Sequence, residues 1–68
     1  MKTTVFICTL KSHTQSVIKK DITSYLASEG IVGIEAYAII ENAMDGRLCD
    51  LEDNLGDRIP YYLSLETI

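Results

Sequence analysis

The sequence predicts an α+β domain: a single four-stranded mixed sheet with one helix on one face, in the order β-α-β-β-β. Three observations lead to it. One stretch of the 68 residues spaces its apolar side chains every three or four positions, as a buried helix face does. Four other stretches read as short apolar or alternating runs of the kind strands make. Between two of these runs stands Asp45-Gly46, a strong two-residue hairpin signal, because both central residues of a type I′ turn need positive φ.

Thr3 to Leu10 is rich in β-branched and aromatic residues and is expected as the first strand. Val5 and Ile7 fall on one side, and Phe6, Cys8 and Leu10 on the other, so it is placed centrally, covered above and below. Ser12-His13-Thr14-Gln15 has capping-box spacing, and a helix is expected from His13 to Glu29. Ile18, Ile22, Tyr25 and Leu26 form its buried stripe, with Ser16, Lys20, Thr23, Ser24 and Ala27 on the far side. Gly30 stands where a left-handed terminating residue is wanted, and Ile31 can fold back on the last turn.

Ile34 to Glu41 is expected as the second strand, with Ile34, Ala36, Ala38 and Ile40 on one side and Glu35, Tyr37, Ile39 and Glu41 on the other. The hairpin at Asp45-Gly46 then pairs it with a third strand, Arg47 to Leu51. That register sets Glu41 opposite Asp50, a repulsive pair. A polar loop, Glu52 to Asp57, follows. Ile59 to Ile68 alternates as the last strand, with Ile59, Tyr61, Leu63 and Leu65 inward and Pro60 near an edge or at the strand's beginning. The first two strands, joined through the helix, should be parallel with a right-handed crossover.

The whole chain, 1–68, is expected as one compact domain with a radius of gyration of roughly 11 Å. A domain of this size buries only about 60% of the surface its unfolded chain exposes, so its core is small. A hydrophobic share of 47% and a charged share of 24% are those of a globular chain, not a disordered one. The net charge of −4 is unevenly placed. Residues 1–34 hold four lysines against two carboxylates, and residues 35–68 two arginines against eight, which makes +2 and −6.

No targeting segment or membrane span is expected, since the apolar run Val5 to Cys8 ends within a few residues. Cys8 and Cys49 are taken as reduced thiols packed as small hydrophobes in a cytoplasmic chain. Cys8 and His13 lack the third, orienting group that nucleophilic catalysis needs. Cys8, His13 and Cys49 lack zinc-ligand spacing. Asp50 to Asp57 alternates oxygen ligands, but its glycine is displaced by one position from the calcium-loop pattern, and the terminal Glu is missing. The four glycines form no phosphate-cradling motif. Lys11, Lys19 and Lys20 make too thin a footprint for direct binding to nucleic acid by an acidic chain. No enzymatic activity, cofactor or metal is expected.

One helix covers one face of a sheet, which leaves the other face apolar and open. The expectation is a small protein-binding module, a stoichiometric regulator or inhibitor. Tyr37, Ile39 and Tyr62 would supply apolar contact, and Glu41, Asp50, Glu52, Asp53 and Asp57 charge complementarity to a basic partner. Those carboxylates could imitate the phosphates of a nucleic acid in a basic cleft. The alternatives are a self-assembling subunit, a homodimer or larger homo-oligomer, and a small ligand-binding regulatory domain.

Overall fold

The computed structural model describes residues 5–67 and shows a helical protein. The predicted four-stranded α+β sheet is overturned: no strand forms among the described residues. Helix α1 spans Ser12–Ser28, α2 Gly33–Met44, α3 Glu52–Leu55 and α4 Ile59–Leu65. Short 3₁₀ turns at Ile7–Thr9, Leu48–Leu51 and Gly56–Arg58 link and flank them. The one β-type contact described is an isolated antiparallel bridge between Phe6 and Arg47. There the Ile7 N–H donates to the Gly46 carbonyl at 3.1 Å, and the Leu48 N–H to the Val5 carbonyl at 2.8 Å. The ends of the expected first and last strands, residues 3, 4 and 68, lie outside the described residues.

The physical reason for the correction is the same in all four segments read as strands. Their buried residues lie three or four apart, not two. Ile7 and Leu10 are buried in the first, Ala36 and Ile40 in the second, Leu48 and Leu51 in the third, Tyr62 and Leu65 in the last. Neighbours that alternation placed on the same side as these, such as Ile34 beside Ala36 and Tyr61 and Leu63 beside Leu65, are exposed. Composition points the same way in α2. Alanine, glutamate and methionine favour helix, and alanine and glutamate are depleted in strands. Pro60 lies in the first turn of α4, where its missing N–H costs nothing. Asp45 closes α2 in ordinary right-handed geometry, so Asp45-Gly46 is a helix end and not a hairpin. The repulsive Glu41–Asp50 pairing disappears with it: Glu41 lies 4.0 Å from Lys19, and Asp50 lies 3.7 Å from Arg47.

Helix α1 occurs where its stripe predicts it, and Thr14, Ile18, Ile22 and Leu26 are its buried residues. Its C-terminus is a Schellman turn. Gly30 has φ +80°, its N–H donates to Ala27 at 3.0 Å, and the Ile31 N–H reaches back to Leu26 at 2.8 Å. Its N-terminus differs from the expected capping box. Lys11 is the cap residue and makes no side-chain cap bond. Gln15 donates instead to the Leu10 carbonyl at 2.8 Å. The free N–H end is served from the far end of the chain: Glu66 Oε2 accepts from the Lys11 N–H at 3.0 Å and from the Thr14 hydroxyl at 2.5 Å.

α1 packs against α2, α3 and α4, and buried side chains of α1, α2 and α4 join one cluster with those of the 3₁₀ turns at Ile7–Thr9 and Leu48–Leu51. Ile7, Ile18 and Leu48 are fully buried within it, each worth about 1.5–3 kcal/mol of transfer from water. The Cα radius of gyration is 11.5 Å.

Two measurements test this fold. Ala38 is exposed in the middle of α2. Ala38→Val should destabilise by about 0.5 kcal/mol in urea unfolding if the segment is a helix, whereas a strand would gain stability from the β-branched side chain. The second concerns Glu66, whose carboxyl the Thr14 hydroxyl holds below its ordinary pKa, with the Lys11 amide helping. A lowered folded value means stability that is present above about pH 4.3, the unfolded value, and is lost as pH falls through the folded one. Glu66→Gln should therefore be less stable than wild type at neutral pH, with the gap closing on acidification.

Candidate functional site

The residues expected to form one contact surface are dispersed by the helical fold. Tyr37 and Ile39, two apart on α2, are rotated by about 200° and face opposite flanks. Tyr37 borders a shallow groove of about 320 Å³ between α1 and α2, walled by Ala27, Ile31, Ala36 and Ile40. Ile39 lines a separate cavity on the other flank. Glu41 faces α1 in its loose pair with Lys19. Asp50 is engaged locally: its Oδ2 accepts the Arg47 N–H at 3.1 Å. Glu52 and Asp53 open α3, and Asp57 follows in the next turn, all three exposed.

Tyr62 requires correction. It is fully buried and belongs to the core, so it offers nothing to a partner. Its hydroxyl donates to Asp21 Oδ2 at 2.6 Å. Burial, and then the bond to Asp21, push the phenol pKa above its ordinary value. Arg58 completes the group, with Nε and Nη2 each 3.1 Å from the same Asp21 oxygen and the guanidinium 4.6 Å from the Tyr61 ring centre. Asp21 and Arg58 carried no role in the strand reading. They are 37 residues apart, and only the packing of α4 across α1 brings them together. Cys8, expected to be packed, is exposed, and Cys49 is half-buried; both are free thiols.

The surface that does gather exposed apolar groups is the outer face of α2 and the residue before it. Ile34 is 90% exposed, Val32 66% and Tyr37 62%. Ile34 and Tyr37 are three apart and share a helix face. Sequence reading put Ile34 on the same side of a strand as Ala36, Ala38 and Ile40. Helical spacing would have found it, since Ile34 falls outside the stripe Ala36, Ile40, Ala43, Met44. Glu35 stands beside this face, while Glu41 pairs with Lys19, which lines the same groove as Val32 and Tyr37.

Among the described residues, no group of three or more His, Cys, Asp or Glu side chains is placed to hold a metal ion. No helix among them is long and apolar enough to cross a membrane. Set beside protein-family models, curated proteins and solved structures, the chain matches none.

Proposed function

We propose that this chain is a small cytosolic protein-binding module that acts by occupying a partner's surface. The outer face of α2 is the contact surface, and the partner offers an apolar groove with a basic rim. The observation that carries this reading is the exposure of Val32, Ile34 and Tyr37 together. Large contiguous apolar patches on small proteins usually mark contact sites. A helix presenting anchors three or four residues apart suits a groove. Tyrosine adds a broad apolar body with a polar tip. Glu35 beside the anchors and the net charge of −4 favour a positive rim and disfavour nucleic acid. The two free thiols fit a reducing compartment.

The test is affinity capture with the wild-type chain and with Ile34→Ser/Tyr37→Ser, followed by titration of whatever protein is captured. Both positions are exposed, so the variant should keep its thermal stability. Binding of the captured protein should weaken more than tenfold in the variant and should weaken for wild type as salt rises. A captured protein bound equally by both chains would overturn the reading. Sedimentation as a dimer that the double substitution dissociates would assign the face to a second copy instead.

A further inference from the structure

Ile39 stands apart from the contact surface, on the flank of α2 opposite Tyr37. There it lines a cavity of about 330 Å³ between α1, the C-terminal half of α2 and α3. Ile22, Leu26 and Leu51 line the same cavity and are buried, so its floor belongs to the core. Half-buried Leu55 adds an apolar side chain from α3. The volume is at the small end of ligand pockets, and apolar walls with a few polar groups are their usual pattern.

The polar lining decides what fits. Asn42 on α2 and Asn54 on α3 both line the cavity, and among the described residues neither carboxamide makes a side-chain hydrogen bond. Each can donate two hydrogen bonds and accept two. A hydrocarbon occupant would draw on the apolar floor alone. One that also donates and accepts gains a hydrogen bond from each carboxamide it meets. Charge narrows the choice further. Among the described residues no lysine, arginine or histidine lines the cavity, so an anion meets no counter-charge. Asp50 is the one charged side chain in the lining. Its carboxylate accepts from the Arg47 N–H at 3.1 Å and lies 3.7 Å from the Arg47 guanidinium, so a cation would have to compete with Arg47. A neutral molecule has no ion pair to form or to break.

We propose that this cavity binds a small neutral molecule with one apolar ring and a carboxamide-like head. The ring sits on Ile22, Leu26, Leu51 and Leu55, and the head hydrogen-bonds to Asn42 and Asn54. The site shares no anchor with Val32, Ile34 and Tyr37, so either reading can fail without the other.

The experiment is an amide NMR titration of the full chain with three probes that share a benzyl body: phenylacetamide, phenylacetate and 2-phenylethylamine. The expected result is saturable shifts at Ala43, Leu51 and Leu55, with phenylacetamide bound more tightly than either charged probe. Asn42→Ala with Asn54→Ala removes both carboxamides, and both positions are exposed, so the urea midpoint should hold. The double variant should bind phenylacetamide about tenfold more weakly than wild type, the loss of two neutral hydrogen bonds. Absence of saturable shifts overturns the proposal. So does a charged probe that binds as tightly as the amide, or a double variant that binds phenylacetamide as wild type does.

Discussion

The hydroxyl of Tyr62 donates to Asp21 across 41 residues of chain, and the placement of α4 follows from that bond. Tyr62 is fully buried, so its hydroxyl needs a partner inside the fold. Asp21, on the middle turn of α1, is the group within reach, and Arg58 balances its charge from the turn before α4. The ring contributes about 1.5–3 kcal/mol by burial, and a hydrogen bond to a charged acceptor about 1.5–3 kcal/mol more. A chain of this length has a total stability of roughly 3–10 kcal/mol. One residue thus carries a large share. The exposed part of the Asp21–Arg58 pair adds little by itself. Its role is to hold the half-buried acceptor in place. One turn further on, Glu66 serves the N-terminus of α1 from the end of α4, so the last helix is held to the first at two points.

This arrangement explains what was legible in the sequence and what was not. The helix α1 was legible because its stripe runs over several turns and ends in Gly30, a local signal with a local cause. The other segments were not, because each is short. Over eight residues, Ile34-x-Ala36-x-Ala38-x-Ile40 satisfies alternation, while Ala36 and Ile40 alone satisfy helical spacing. Only burial decides between them, and burial depends on partners far away in sequence. The Glu41–Asp50 clash was the sequence's own sign against the hairpin. It is resolved in the fold by pairing each carboxylate with a basic residue on its own side.

The exposed apolar surface lies elsewhere than the sequence reading put it. An apolar surface in need of cover was expected from an uncovered sheet. The structure instead has exposed apolar groups on α2 and just before it, with Ile34 outward and Val32 and Tyr37 at the rim of the groove against α1. Tyr37 belongs to this surface, and Ile39 and Tyr62 do not. The acidic residues Glu52, Asp53 and Asp57 are exposed as a polar segment should be, whatever the fold around them. Asp50 is drawn away from that group by Arg47.

The fold depends on the coupling between α4 and α1, and a double-mutant cycle of Tyr62→Phe with Asp21→Ala measures it directly by urea unfolding at neutral pH. Each single substitution should destabilise, and the pair should be coupled by at least about 1 kcal/mol, because either change removes the same bond. Additivity within about 0.3–0.5 kcal/mol would mean that the two side chains do not meet, and the packing of α4 across α1 described above would be wrong.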